Sequence, residues 1–198
     1  MSQTEIKNKQ IIEAAIAEFQ ERGFAGASMD RISERAQVSK RTVYNHFDSK
    51  EALFKAINKC LFDQLQASMQ ITFDPNVPIR EELRRLGWTQ GNILVDPCAM
   101  NMARMMMGEI LRDPETAENM NRRMDMVRPV KNFLDAAVSA GKLNITDTWV
   151  AAEQFLGLIK TRGFYPKLFG EQLSTRKEVE KIIEDAIDMF LCSYGVKA

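Results

Sequence analysis

Residues 28–54, SMDRISERAQVSKRTVYNHFDSKEALF, decide the fold of this chain. Ser28 is placed to cap one short helix, and Ser39 is placed to cap a second helix over residues 40–46. Only a tight break of three residues, beginning at Gln37, separates the two helices. Two short helices around such a turn predict a helix-turn-helix of the kind that reads DNA.

The second of these helices is apolar on one side and polar on the other. Val43 and Phe47 lie one turn apart, so both are expected to face inward. The side chains left on the outer side are Lys40, Arg41, Thr42, Tyr44 and Asn45. Cationic and polar groups suit this position because affinity for DNA comes mainly from phosphates, whereas sequence choice comes from base edges in the major groove.

The same stretch resembles the DNA-binding signature of the TetR (tetracycline-repressor) family. The residues that carry the resemblance, at matching spacings, are Ala36, Val38, Ser39, Thr42, Tyr44, His46, Phe47, Lys50 and Leu53. The apolar pattern from Ile11 and the turn at Gly23 and Phe24 fit as well, so the resemblance covers residues 5–60. The rest of the chain is compatible with the family in its helical layout.

The resemblance implies roles for individual side chains. Tyr44, His46 and Lys50 match positions that anchor phosphates, while Ser28 and Arg31 would hold the DNA backbone from the start of the supporting helix. The residues at groove-facing positions are Lys40, Arg41, Thr42 and Asn45, whose side-chain types can read guanine, adenine or a thymine methyl group. Ser28 has a second interpretation as a plain helix cap, and Tyr44 and His46 have second interpretations as packing residues.

Charge favours a local DNA footprint over general nucleic-acid coating. The chain has 198 residues with 27 basic and 27 acidic side chains, so its net charge is zero. Between residues 31 and 50, however, the basic residues outnumber the acidic ones by three. They are Arg31, Arg35, Lys40, Arg41 and Lys50 against Glu34 and Asp48. This local excess supports a specific footprint.

Cysteine and histidine content argues against a metal site, a cofactor and catalysis. Cys60, Cys98 and Cys192 are far apart and His46 is the only histidine, which disfavours zinc ligation and a disulfide framework. No Gly-rich phosphate loop or nucleophile–base pair points to an enzyme. Without a signal peptide or a membrane-length apolar run, we expect a cytoplasmic protein with reduced thiols and no membrane association.

Apolar residues recur at helical spacing along the chain, and no alternating strand pattern persists. We therefore predict an all-α protein: an N-terminal three-helix helix-turn-helix domain over residues 1–50, joined through a long helix to an α-helical effector and dimerisation domain over residues 51–198. The long helix should run to residue 72 and link the two mechanically. Further helices are expected at 79–94, from 97, from 113 with a break at Pro129, at 149–162 and from 176.

Methionine is concentrated in the second half, where eight of the twelve lie between residues 100 and 126. Flexible, polarizable side chains suit a pocket that adapts to apolar ligands. The pocket residues predicted on this basis are Trp88, Met102, Met105, Met106, Met120, Met124, Trp149 and Phe155. One alternative is a methionine-filled core without a cavity. Another is a copper(I) site of thioethers and Cys98, although helical packing already explains the methionine spacing.

Apolar stripes on the last two long helices indicate how two copies would meet. Members of the resembled family pair these helices with those of a second copy, and a two-fold dimer would bring two reading helices to two half-sites. The interface residues predicted are Leu156, Ile159, Ile183, Ala186 and Phe190, with packing inside one chain as the alternative.

The function implied is a homodimeric transcriptional regulator, in the first instance a repressor, that binds palindromic double-stranded operator DNA. A small hydrophobic effector would release it, which requires that the effector bind the two conformations with different affinities. The alternative is an effector-independent architectural or partner-binding DNA protein whose second half only dimerises.

Overall fold

The structure is a computed structural model that describes residues 3–68, 71–112 and 125–196, and these residues form ten α-helices. The helices are α1 Gln3–Gly26, α2 Met29–Arg35, α3 Lys40–His46, α4 Lys50–Ser68, α5 Ile79–Leu94, α6 Pro97–Arg112, α7 Val127–Ser139, α8 Thr148–Gly163, α9 Tyr165–Leu168 and α10 Arg176–Tyr194. No β-strand occurs among the described residues, and the all-α prediction is confirmed.

The helix-turn-helix forms where its capping residues predict. The Ser28 hydroxyl accepts a hydrogen bond from the backbone N–H of Arg31 at 3.3 Å, and the Ser39 hydroxyl accepts one from Thr42 at 3.1 Å. Each hydroxyl satisfies an N–H group that the first turn of a helix leaves without a backbone partner. Local sequence therefore determines where α2 and α3 begin.

Two backbone corners give this unit its shape. Gly23 interrupts α1 with a φ of 67°, a conformation that glycine adopts without steric cost. The chain then turns back, so that the Phe24 ring packs 4.9 Å from that of Phe54. Gln37, in the turn between α2 and α3, has a φ of 55° and is the only non-glycine with a positive φ in the described part of the chain.

The N-terminal core gathers buried side chains from α1 to α4, ending at Ile57, and also contains Met102 from α6. Met102 reaches this core because α6 packs against α1. Leu53 and Phe54, in the first turns of α4, belong to the same core. The packing of the N-terminal unit therefore includes residues after position 50, where the sequence predicts the domain boundary.

A larger core lies between α5, α7, α8 and α10. Phe155 on α8 and Phe190 on α10 meet edge to face there, with their ring centroids 5.2 Å apart, and Phe133 on α7 is buried beside them in the same cluster. These helices form a separate core, and α6 packs against both α5 of this core and α1 of the N-terminal unit.

Two glycines let α10 lie against the backbone of α5. A Cβ atom at Gly87 would be 2.7 Å from Ile183, and one at Gly91 would be 2.9 Å from Val179. Such separations are too short for side chains in a packed interior, so larger residues would push the two helices apart. The glycines fix the α5–α10 spacing.

The starts of the later helices agree with their sequence signals, with one correction. Asp147 caps α8, and Thr175 forms a capping box with Glu178 at the start of α10. The predicted break at Pro129 is wrong, because Pro129 lies in the first turn of α7, where a missing N–H removes no helical hydrogen bond. The helix predicted from residue 113 falls at 113–124, outside the described residues.

None of the helices in the described ranges is long and apolar enough to cross a membrane.

Candidate nucleic-acid interface

Helix α3 has one buried and one exposed face. Val43 is completely buried in the N-terminal core, and Phe47, directly after the helix, packs against the same core. Arg41, Tyr44 and Asn45 are exposed, and Tyr44 retains 49% of its accessible surface. The inward orientation predicted for Val43 and Phe47 is confirmed. A short helix anchored on one side and polar on the other can enter the major groove of DNA.

Lys40 lies at the start of α3, where an acidic side chain holds its ammonium group. The Lys40 Nζ atom is 2.7 Å from the Oδ2 atom of Asp30 in the first turn of α2. Both side chains are well exposed, at 60% and 54%. The pKa of Lys40 is raised above its ordinary value, chiefly by this hydrogen bond to Asp30.

The two arginines of α2 are paired with carboxylates of α1. Glu18 is buried, and its Oε1 atom accepts a hydrogen bond from Arg31 Nε at 2.5 Å. Glu21 accepts two hydrogen bonds from Arg35, at 2.6 and 2.7 Å, which lower the pKa of the Glu21 carboxyl. These pairs hold α2 against α1, so both arginines stabilise the unit before any contact with DNA.

Arg41 differs from these paired cations. Among the side chains described in residues 3–59, no carboxylate forms an ion pair with its guanidinium, although Lys40 next to it is paired. Arginine presents a planar fork of donors that matches a phosphate or the O6 and N7 acceptors of guanine. Arg41 is therefore the basic side chain of α3 that is available to DNA without breaking an internal contact.

Lys50 has a different role from the one the resemblance implies. Its ammonium donates to the carbonyl oxygens of Phe24 at 2.8 Å and Ala27 at 3.1 Å, with that of Ala25 at 3.5 Å. It also lies 4.6 Å from the centre of the Phe24 ring. The phosphate contact predicted for Lys50 is not supported, because all three ammonium donors already face carbonyl oxygens. Lys50 ties α4 to the link between α1 and α2.

Three further residues predicted to contact DNA also make contacts within the protein. Ser28 caps α2, and the Thr42 hydroxyl lies 2.8 Å from that of Ser39. His46 is half-buried, with its ring centroid 6.3 Å from that of Phe47. A cap or a packed ring does not prevent contact with a phosphate, because each keeps part of its surface accessible.

Sequence reasoning missed the acidic partners of the basic residues. The charge balance of residues 31–50 does not include Glu18, Glu21 and Asp30, which precede that range and approach it through the folding of α1 and α2. One signal is visible in the sequence: Glu18 lies seven residues after Ile11, on the apolar face of α1. A carboxylate at such a position requires a partner.

Three of the predicted effector-pocket residues do not line a shared cavity. Met102 lies in the N-terminal core and Phe155 in the larger core, where each is at most 2% exposed. Trp149 is a surface residue, 38% exposed, and its indole N–H donates to Glu153 at 3.0 Å. These predictions are wrong because helical spacing identifies a buried face but not the neighbours against which it packs.

Of the other predicted pocket residues, Trp88 borders an open space. Met106 is half-buried on α6, whereas the side chain of Met105 and all of Met120 and Met124 lie outside the described part of the structure. Trp88 does border an open space, and it is the described member of the set for which the pocket prediction retains support.

The space beside Trp88 is an open groove of about 860 Å³ between α5 and residues 72–77. Arg85 forms part of its wall and is held there by the buried carboxylate of Glu82, at 2.7 Å. The guanidinium of Arg176 stacks on the Trp88 ring, 4.3 Å from its centre. Trp88 and Arg85 also border a neighbouring recess of about 540 Å³. The wall of the larger groove also includes the charged residues Asp74, Glu81 and Arg84, so it offers a small molecule both apolar contact and polar groups.

The predicted interface residues are wrong, because each exposes at most 4% of its surface within a single chain. They are Leu156, Ile159, Ile183, Ala186 and Phe190, and they pack in the larger core. The outer surfaces of the same two helices carry other apolar groups: Val150 is 42% exposed on α8, and Met189 is 60% exposed on α10.

Two protein-family models match the chain. Residues 11–57 match the model described as bacterial regulatory proteins of the tetR family. Residues 81–196 match the model described as the C-terminal domain of AefR-like transcriptional repressors. The first match ends at Ile57, an α4 residue that is buried in the N-terminal core.

Individual relatives agree with these matches. IcaR, the negative transcriptional regulator of the biofilm operon icaADBC in Staphylococcus aureus, is 40% identical over 55 residues, or 28% of this chain and 30% of that protein. The segments matched in curated relatives span only 30% to 41% of the relatives' own lengths.

Two solved structures match over nearly the whole chain. A TetR family transcriptional regulator from Pseudomonas syringae pv. tomato is 37% identical with a TM-score of 0.78, covering 96% of this chain and 97% of that chain. The flavonoid-responsive regulator FrrA is 29% identical with a TM-score of 0.73, covering 97% and 98%.

Proposed function

The chain belongs to the TetR family of transcriptional regulators, and from this we propose that it regulates transcription by binding operator DNA through the exposed face of α3. One observation carries the proposal: α3 is anchored by Val43, so that Arg41, Tyr44 and Asn45 all face outward. Arg41 would bind the O6 and N7 atoms of a guanine and Asn45 an adenine, which is the major-groove chemistry of these side chains.

Contacts to phosphates would surround these base contacts. The Tyr44 hydroxyl and the His46 ring would anchor phosphates on one strand, and Ser28 and Thr42 would add hydroxyl contacts. Lys40 would also contact a phosphate once its ion pair with Asp30 has separated. Such contacts set the position of α3 in the groove but do not read sequence.

We propose that regulation is repression. The support comes from IcaR, whose name describes a negative transcriptional regulator and whose 40% identity with this chain covers 55 residues. The C-terminal family match to AefR-like repressors agrees with this reading. A repressor acts by occupying an operator that overlaps a promoter.

A homodimer would present two copies of α3 to a palindromic operator. The outer faces of α8 and α10 are suited to this pairing because Val150 and Met189 leave apolar surface exposed there, with Leu158 half-buried nearby on α8. An isologous interface uses the same patch on both copies. These residues replace the buried set that the sequence predicts.

The second half would bind a small apolar effector that releases the DNA. The groove beside Trp88 offers the space, and FrrA, a relative of similar fold, is named as flavonoid-responsive.

The first test of the DNA-binding surface is Arg41→Ala in the full-length protein. With a duplex selected from random sequences, we expect the variant to bind about five- to 150-fold more weakly per half-site and to lose preference at one base pair, since a bidentate contact to guanine contributes about 1–3 kcal/mol. Fluorescence anisotropy measures the change. Lys142→Ala is the control, because it removes an exposed cation after α7, far along the chain from α3. Equal affinity of both variants and wild type would contradict the proposed role of α3.

One observation favours the alternative of an effector-independent DNA protein. Met102 and Phe155, both predicted to line a pocket, are packed in cores instead. Thermal unfolding in the presence of a panel of small apolar compounds separates the two functions. An effector-responsive protein gains stability with a subset of compounds, whereas a protein with a filled core responds to none.

A further inference from the structure

We propose that Asp30 acts as an internal substitute for a DNA phosphate: it holds the Lys40 ammonium in the free protein and releases it when operator DNA binds. The proposal rests on the DNA-binding function proposed above and adds to it a residue that limits binding to unrelated sequences.

The geometry of the pair is that of a phosphate contact. Lys40 is the first residue of α3, and its Nζ atom lies 2.7 Å from the Asp30 Oδ2 atom. A carboxylate and a phosphate both offer anionic oxygens that accept charge-assisted hydrogen bonds from an ammonium group at this distance. The same ammonium group must turn away from Asp30 in order to face a phosphate of DNA.

The Lys40–Asp30 ion pair can also separate more easily than the ion pairs of Arg31 and Arg35. Glu18, which holds Arg31, is buried to 1% exposure, and Arg35 is held by two hydrogen bonds from its guanidinium to Glu21. Lys40 and Asp30 are 60% and 54% exposed, so both can rotate into water. Exposed pairs of this kind contribute little to stability and exchange readily for another partner.

Pairing lowers the general attraction of this surface for DNA. Residues 3–57 contain nine basic and eight acidic side chains, and five of the basic ones form ion pairs with carboxylates: Lys9, Arg22, Arg31, Arg35 and Lys40. Binding to unrelated DNA depends almost entirely on neutralised phosphates. A lysine already neutralised by Asp30 adds nothing to such binding until it is released.

Release would therefore be coupled to correct docking. In an operator complex, base contacts from Arg41 hold α3 in the groove and bring a phosphate to Lys40, which exchanges one anionic partner for another. On an unrelated sequence those base contacts are missing, and the Asp30 carboxylate both keeps Lys40 and repels the DNA. A repulsive element of this kind increases the difference between the two affinities.

The test compares Asp30→Asn with Glu34→Gln in the full-length protein. Both variants remove one exposed negative charge from α2, and Glu34 acts on Lys40 only through space, whereas Asp30 bonds it directly. Anisotropy is measured with the selected operator and with an unrelated duplex over a series of salt concentrations. Circular dichroism confirms folding, and Asp30→Ser serves as a second variant if the asparagine variant is unfolded.

We expect Asp30→Asn to bind unrelated DNA roughly two- to fivefold more tightly per half-site, and the slope of log affinity against log salt to steepen by about 0.9 per protomer. Glu34→Gln should leave the slope unchanged. In a Lys40→Ala background, the effect of Asp30→Asn should vanish.

Two results would overturn the proposal. One is binding of Asp30→Asn to unrelated DNA that is no tighter than that of Glu34→Gln, and the other is an effect that persists without Lys40. Failure of the wild-type protein to bind any duplex would contradict the proposed function instead, so the two failures are distinguishable.

Discussion

Lys50 lies at the point where α4 meets the link between α1 and α2. Its ammonium donates to the carbonyl oxygens of Phe24 and Ala27, and it sits over the Phe24 ring. Carbonyl groups near the end of a helix carry partial negative charge, which favours a cation at this place. Lys50, which belongs to the family signature, therefore stabilises the N-terminal unit by joining α4 to the link between α1 and α2.

Lys50→Met keeps the aliphatic part of the side chain and removes the donors. We expect the free energy of unfolding to fall by about 1–3 kcal/mol, the usual range for hydrogen bonds to a charged group. Denaturant unfolding followed by circular dichroism measures it. The slope of DNA affinity against salt should stay unchanged. Unaltered stability with a flatter salt slope would instead show that Lys50 contacts a phosphate.

Helix caps could be predicted from the sequence, whereas the partners in ion pairs could not. Ser28 and Ser39 were predictable as caps because a cap acts within three residues of itself. The partners of Arg31 and Lys40 were not, because each ion pair joins two helices whose packing depends on the whole unit. Residue type and spacing predicted which side chains α3 exposes, but not the carboxylates that pair with the cations of this surface.

Among the elements, α5 and α10 are joined by close packing at glycines and by ion pairs at their surface. Glu184 on α10 accepts hydrogen bonds from Arg84 and, at 3.1 Å, from Arg80, both on α5. These bonds, with that from Arg84 the largest, lower the pKa of Glu184. A carboxylate with a lowered pKa in the folded state contributes stability above its ordinary pKa, and this contribution is lost as pH falls through the lowered value.

Glu184→Gln should therefore lower the free energy of unfolding at neutral pH, and the difference from wild type should shrink as the pH falls below the ordinary carboxyl range. Urea unfolding at a series of pH values measures the difference. Glu180→Gln, an exposed change on the same helix, is the control and should have little effect at any pH. A difference that stays constant with pH would contradict the role given to the Glu184 carboxylate.

Element boundaries were easier to predict than element partners. The bounds of α5, Ile79–Leu94, agree with the prediction because Pro78 before it and Asp96-Pro97 after it are local signals. The position of Met102 could not be predicted from helical spacing, since its burial depends on α6 packing against α1. The predicted link through α4 is thus accompanied by a second physical contact between the two halves of the molecule.

At the scale of the whole molecule, the two halves have separate cores: α4 leads from the first half along the chain, and α6 packs against both α1 and α5. A change in the larger core can shift α6, and Met102 would carry that shift into the core beneath α3. This arrangement supplies one packed path, through α6, by which an effector could alter the spacing of the α3 helices in a dimer. An effector acts on DNA binding only if its affinity for the two arrangements differs.

The charge of the whole molecule supports binding that depends on sequence. The net charge of the chain is zero, and residues 3–57 are nearly neutral, so the protein has little general attraction for DNA. Affinity would have to come from a matched set of phosphate and base contacts repeated on two half-sites.

Selection of bound sequences from random duplex DNA by the purified full-length protein tests this account most directly. The predicted result is enrichment of a single inverted repeat, with enrichment weakened at one position of each half-site in the Arg41→Ala variant. A protein that is folded and helical but enriches no sequence would contradict the assignment of α3 as the reading helix.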